Sequence, residues 1–258
     1  MHTVLVISSG IFHPSLPGRL ALWRALRATP GVTLRHAPFG PAEAFRGAAS
    51  APVEVLARAD LPRADALVLF IHGKTISLPA LDSLDRFVRE GGGILAVHSA
   101  TASFKETPRY TAILGGRFTG HPPVGPLEIH PAVGGTDRDA ADAGRETSGV
   151  DEIFGPVAPF TVTDEAYRHE LADDIRVHFT ARPLRPATPQ RTARAQFPLA
   201  AAPPGEELPI VWTRRHGLGR ICYAGWGHCS ASLRHPSTVR ILQAGLAWVC
   251  RREEDGAQ

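Results

Sequence analysis

The feature that most constrains this chain is a repeated alternation of short, unbroken apolar runs with longer stretches whose apolar residues recur at helical spacing. Val4-Leu5-Val6-Ile7, Ala66-Leu67-Val68-Leu69-Phe70 and Ile94-Leu95-Ala96-Val97 carry no polar residue. Such a run is a strand covered on both faces, because a strand with one wet face alternates apolar and polar side chains. Between the runs, Leu20, Trp23, Ala25 and Leu26, and later Leu81, Leu84, Phe87 and Val88, fall on one helical face. Pro30-Gly31 and Gly91-Gly92-Gly93 stop those stripes, Val32 to Ala37 reads as a second strand, and Val53 to Ala59 as a short helix. Strands alternating with helices predict an α/β fold with a doubly wound, mainly parallel sheet and helices on both faces.

After about residue 115 the pattern changes to Gly, Pro and short strands: Leu127 to His130, Phe160 to Thr163, Ile175 to Thr180, and a hairpin of Ile210 to Thr213 with Arg220 to Ala224. These are expected to decorate the sheet. Val239, Leu242, Leu246 and Val249 mark a closing amphipathic helix. Thr136 to Gly149 and Pro183 to Glu206 read as long loops, and neither divides the chain. The expectation is a single domain over residues 1–252 with a charged tail at 253–258.

Composition removes several classes. The 28 Lys and Arg are scattered among 25 Asp and Glu, with a local excess only at Arg182, Arg185, Arg191 and Arg194, which is too thin for a nucleic-acid surface. The longest apolar runs fall well short of the roughly 20 residues that span a bilayer. Met1-His2-Thr3 runs directly into a strand, so neither a signal peptide nor a membrane anchor is read. Cys222, Cys229 and Cys250 are odd in number and lack CxxC spacing, which fits buried thiols and a cytoplasmic location.

Parallel sheets bind ligands beyond the C-terminal ends of their strands, so the polar groups where apolar runs stop are the candidates. They are Ser8-Ser9 with His13, His72, His98-Ser99, Asp164-Glu165 with Tyr167, and Gly227-His228; His121 sits in the glycine-rich Gly115 to Pro122. Trp226, flanked by glycines beside His228, is a flat apolar wall of the kind that holds sugars. Each group also has a bland reading: a solvated loop histidine, or acids serving a helix start. Imidazoles with a carboxylate could bind zinc or manganese, with His98, His121, Glu165 and His228 as ligands drawn from distant segments.

Four blocks in order, Gly91 to Ala100, Leu114 to Pro122, Phe160 to Tyr167 and Gly217 to His228, resemble the trehalose-utilisation, or ThuA-like, family. The resemblance implies a flavodoxin-like sheet similar to class I glutamine amidotransferases, with an elbow after Val97. There this chain has His98, and its cysteines lie far away, so a cysteine-dependent amidotransferase is not expected. In the matching blocks the functional positions are His98, His121, Glu165 and His228 as catalytic groups. The resemblance implies Asp164 and Tyr167 as substrate contacts; Trp226, Ser99 and His13 are expected contacts as well, His13 lying in an Ile11-Phe12-His13 segment that departs from the family's opening, and His72 lies outside the matching blocks. The segments Ala132 to Pro156 and Pro183 to Glu206 are longer than the family norm.

The expected activity is His/Glu acid-base chemistry on a sugar or keto-sugar, of isomerase or lyase type. A non-catalytic sugar or effector-binding module and a metal-dependent hydrolase are the alternatives. The resemblance also implies pairing with a sugar oxidoreductase, and a homo-oligomer is compatible with it.

Overall fold

Ser15 and Ser77 begin the first two long helices: each side-chain oxygen accepts a backbone N–H, from Gly18 at 3.2 Å and from Ala80 at 3.4 Å, and a proline follows two residues on. Those caps satisfy donors that a helix start leaves unpaired. The computed structural model describes residues 1–8, 14–36, 56, 64–132, 152–184, 203 and 205–251. His13, nearly all of the expected helix Val53 to Ala59, most of the two long loops, and the tail at 253–258 lie outside the described residues.

The first half runs β1 (His2–Ser8), α1 (Leu16–Leu26), β2 (Val32–His36), β3 (Ala66–Phe70), α2 (Leu78–Arg89) and β4 (Gly93–Val97). A short α3 (Pro108–Leu114) ends at Gly115, whose φ of 75° is the left-handed value that favours glycine. Then come β5 (Gly116–Gly120), β6 (Gly125–Pro131), β7 (Phe160–Asp164), β8 (Arg168–Leu171), β9 (Arg176–Pro183), β10 (Leu208–His216), β11 (Gly219–Ala224) and α4 (Pro236–Cys250).

Nine of these strands form one sheet in the order β2-β1-β3-β4-β11-β10-β9-β6-β7. It is parallel from β2 to β11 and antiparallel from β11 to β7. The strands expected to decorate the sheet instead continue it, because β11 carries its hairpin partner β10 in alongside β4. The glycine-rich Gly115 to Pro122 segment, for which the sequence predicts no strand, contains β5, which pairs with β8 as a separate two-stranded ribbon. A Cβ on Gly116 would stand 2.6 Å from the Trp212 ring, so the glycine there serves close packing rather than a turn.

Alternate residues of the central strands feed two apolar layers, as period-two geometry requires. Val4, Val6, Val68, Phe70, Leu95 and Val97 pack with Leu22 and Leu26 of α1 and Leu242 and Leu246 of α4. Ile7, Leu67, Leu69, Ile94, Ala96 and Tyr223 pack with Leu81 and Leu84 of α2 and Ile113 and Leu114 of α3. Helices therefore cover both faces. Among the described residues no helix is long and apolar enough to cross a membrane.

Candidate functional site

Val97 and Ala224 are register partners, so the C-terminal ends of β4 and β11 open side by side. The chain leaves β4 through a 3₁₀ turn, His98–Ala100, and His98 has φ 45°, a strained value for a residue with a β-carbon. Across the gap Gly227 must lack a side chain: a Cβ there would lie 2.7 Å from the Cβ of His98 and 2.8 Å from the Phe70 ring. The turn is tied down by the Thr101 and Tyr223 hydroxyls, each donating to the His98 carbonyl at 3.2 Å.

The imidazole of His98 is wholly buried. Its Nδ1 lies 2.8 Å from the Gly225 carbonyl, which can only accept, so Nδ1 carries the proton. Burial holds the ring well below the usual histidine range, and the neighbouring His228 and His121 add to that. His98 is accordingly neutral, with Nε2 as an acceptor. The Tyr167 hydroxyl, 3.1 Å away, donates to that nitrogen. Burial and the nearby Glu165 charge keep the Tyr167 phenol protonated, its pKa well above the ordinary value.

Residues 165–167 connect β7, at the far edge of the sheet, to β8 of the ribbon, and this crossing brings Glu165 and Tyr167 to the same rim. The ribbon is anchored there by the Phe118 N–H donating to the Thr101 carbonyl at 3.3 Å. Glu165 is 6% exposed. Its Oε2 is 3.6 Å from His98 Nε2, and its Oε1 is 3.1 Å from His228 Nδ1 and 3.7 Å from His121 Nδ1. The hydrogen bond to Glu165 raises the pKa of His228, against the opposing effect of partial burial. The His228 side chain is 38% exposed and so forms the solvent side of the cluster.

Asp164 points the other way. Its Oδ1 accepts from the backbone N–H groups of Glu165, His228 and Cys229 at 2.8, 3.1 and 3.4 Å. Its Oδ2 accepts from the Gly227 N–H at 3.1 Å and from the Ser232 hydroxyl. Burial raises its pKa, and the hydrogen bonds from Ser232, Glu165, Gly227 and Cys229 pull against that. With no exposed surface, this carboxylate holds the connection after β11 in place and so fixes His228.

The structure thus brings His98, His121, Glu165, Tyr167 and His228 together. Trp226 and Ser99 are wholly buried; Trp226 lies in the apolar layer with α1 and α4, so its ring is not a wall open to a ligand. Ser8 hydrogen-bonds His36 at 3.2 Å at the ends of β1 and β2. His72 is kept below its ordinary pKa by burial and Lys74. Sequence reasoning missed Thr101, Tyr223, Ser232 and His169, whose Nε2 is 3.0 Å from the Thr101 hydroxyl. The one available signal was the placement of Tyr223 near the end of an apolar run.

A family model described as ThuA, trehalose utilisation, matches residues 4–249. No curated protein matches the sequence. Among solved structures, a ThuA-like protein from Bacteroides uniformis is 15% identical with a TM-score of 0.63, over 96% of this chain and 90% of that one. One from Parabacteroides merdae is 16% identical with a TM-score of 0.63, over 99% and 92% of the two chains. A protein described as cytoplasmic, from Salmonella typhimurium LT2, is 13% identical with a TM-score of 0.56, over 96% and 99%. At these identities the likeness is one of fold.

Proposed function

The chain belongs to the ThuA, trehalose-utilisation, family, and on that premise we propose that it is a cytoplasmic enzyme of carbohydrate metabolism that moves protons on a keto-sugar. The parallel strands, in the order β2-β1-β3-β4-β11, are read as a flavodoxin-like half-sheet with this site at its C-terminal rim. The observation that carries the proposal is a nearly buried carboxylate, Glu165, ringed by three imidazoles at 3.1 to 3.7 Å.

That arrangement supplies both directions of proton transfer. Glu165 takes the proton from a carbon next to the carbonyl, and His228, whose pKa the hydrogen bond to Glu165 raises, gives one to the carbonyl oxygen, leaving an enediol. Return of the proton to the neighbouring carbon completes an isomerisation. Where instead the carbon on the far side of the deprotonated one carries an alkoxy substituent, the enolate re-forms the ketone and expels that group, which leaves as the alcohol with a proton from His228, and the glycosidic bond is cleaved by elimination. His98, neutral and buried, keeps its Nε2 on the Tyr167 hydroxyl beside Glu165, while His121 lines the mouth. A keto-sugar arises by oxidation of a hydroxyl, so a sugar oxidoreductase is the class of enzyme that would supply it.

The test is incubation with 3-keto sugars and 3-keto-disaccharides in D2O, followed by NMR. Exchange at the carbon next to the ketone, with isomerised or cleaved product, is expected. Glu165→Gln should lose about 100-fold or more of that rate, the typical range for one acid-base group. Unchanged rates in both Glu165→Gln and His98→Ala would overturn the assignment. Tight binding with no exchange at all would make the protein a sugar-binding module instead.

A further inference from the structure

We propose that His98, Glu165 and His228 form a three-ligand site for one zinc-class divalent ion, with an open coordination position facing solvent. The inference uses the same side chains as the proposed activity, but it needs only their geometry. The ligand atoms of these three residues all lie within 4.8 Å of one another. His228 Nδ1 to Glu165 is 3.1 Å and His98 Nε2 to Glu165 is 3.6 Å. Two ligands that each stand about 2.1 Å from a tetrahedral ion are roughly 3.4 Å apart, so both pairs already have the spacing an ion imposes.

The surroundings are also those of a metal site. A metal-binding imidazole ordinarily donates its second N–H to a backbone carbonyl or a carboxylate, which fixes the ring and leaves the other nitrogen bare. His98 does this through Nδ1 to the Gly225 carbonyl at 2.8 Å; its Nε2 lies 3.6 Å from Glu165 and accepts from the Tyr167 hydroxyl, a hydrogen bond that an ion would replace. His228 is held by its own backbone N–H on Asp164. Both imidazoles are therefore presented by rigid backbone, one from the turn after β4 and one from the connection after β11.

His121 does not complete the set. Its Nδ1, the nitrogen nearest Glu165, lies 2.9 Å from the Pro122 carbonyl and spends its proton there, outside the cluster, whereas the proton that His228 Nδ1 shares with Glu165 lies between two ligand atoms and is released when an ion takes its place. The ligand set is two imidazoles and one carboxylate, not the four residues the sequence suggested. Three protein ligands with a free position are the pattern of catalytic rather than structural zinc, because the free position takes water or a substrate oxygen. Here the free position lies on the His228 side, where that side chain is 38% exposed. Mixed nitrogen and oxygen donors favour zinc, cobalt or manganese over calcium or magnesium.

The experiment uses the full chain, stripped with a chelator and dialysed, then titrated with ZnCl2 by calorimetry, with CaCl2 as a control. One equivalent of zinc per chain is expected, and Co2+ in its place should give the visible absorption of a four- or five-coordinate site. His98→Ala, Glu165→Gln and His228→Ala should each weaken zinc binding by about 100-fold or more, and His72→Ala should leave it unchanged. Circular dichroism establishes that each variant is folded; Glu165→Gln preserves shape and remains decisive if an alanine variant unfolds. Absence of stoichiometric binding, or full binding retained by Glu165→Gln and His228→Ala, would overturn the proposal. Zinc binding is read without turnover, so loss of this site with keto-sugar exchange intact would remove the metal and leave the proton-transfer reading standing; the reverse result would do the opposite.

Discussion

At position 98 backbone and side chain make opposing demands. A φ of 45° suits glycine, yet the proposed chemistry needs an imidazole there. Left-handed backbone costs a residue with a β-carbon about 1 kcal/mol or more. His98→Gly should therefore be more stable than His98→Ala by about 1 kcal/mol, with both inactive. Urea unfolding of the two variants measures it, and a more stable alanine variant would show that strain does not govern this turn. Opposite it, Gly227→Ala forces a β-carbon to within 2.7 Å of His98. We expect a loss of about 1–3 kcal/mol, as for other overpacked sites, read as a lower Tm, together with loss of keto-sugar turnover as His228 is carried off Glu165. His98 was legible in the sequence because a run of four apolar residues stops at it. The Asp164-Glu165 pair was legible only as a pair. Neighbours on extended chain project to opposite sides, which sends one carboxylate into the interior and the other to the imidazoles. The supports of the site were not legible, because the Tyr223 hydroxyl and the His98 carbonyl it holds are 125 positions apart.

At the scale of elements, α2, α3 and β10 are tied by one carboxylate. Asp85 of α2 is 6% exposed and accepts from His216 at the end of β10 at 2.6 Å and from Arg109 of α3 at 2.7 Å. Arg89, one turn on, adds a contact at 3.0 Å. Burial alone would lift this carboxyl, but the hydrogen bonds from His216 and Arg109, with the charges of Arg89 and Arg109, bring it from 3.8 down to about 2. A carboxyl depressed in the folded state stabilises above its unfolded pKa and loses that contribution as pH falls through the folded one. The contribution, at most about 2 kcal/mol because solvent screens the half-exposed Arg89 and Arg109, is thus complete at neutral pH and fades between pH 4 and pH 2. Asp85→Asn should be less stable by about that amount at pH 7, with the gap to the wild type narrowing from pH 4 to pH 3 in urea titrations. A constant gap would mean that packing, not charge, holds the three elements. The elements themselves were largely legible where apolar runs announced them. β5 and β8 were not, since Gly116-Arg117-Phe118-Thr119-Gly120 buries its phenylalanine and glycines among exposed or half-exposed neighbours, too short a pattern to stand out from a loop.

For the whole molecule, the sequence divides visibly near residue 115, yet the structure does not. Local periodicity reports which segments are strands; it says nothing about which strands become neighbours, and here the late strand β11 lies beside β4 and draws the antiparallel strands into the same sheet. The apolar layer that starts at Val4 also contains Cys250, with Leu22 and Leu26 of α1 in one cluster with Leu242 and Leu246 of α4. Each of those leucines gains about 1.5–3 kcal/mol from burial, so neither half keeps its core without the other. The candidate site inherits this dependence: His98 comes from the first half, Glu165 and His228 from the second, and the His98 ring is held by the Gly225 carbonyl. Unfolding should then be a single cooperative transition, in which far-ultraviolet dichroism and the fluorescence of Trp212 and Trp226, buried on opposite faces of the sheet, change over the same range of urea. Two separated transitions would mean that the antiparallel strands stand apart from the parallel ones, and that the cluster at their junction is assembled across a boundary able to open.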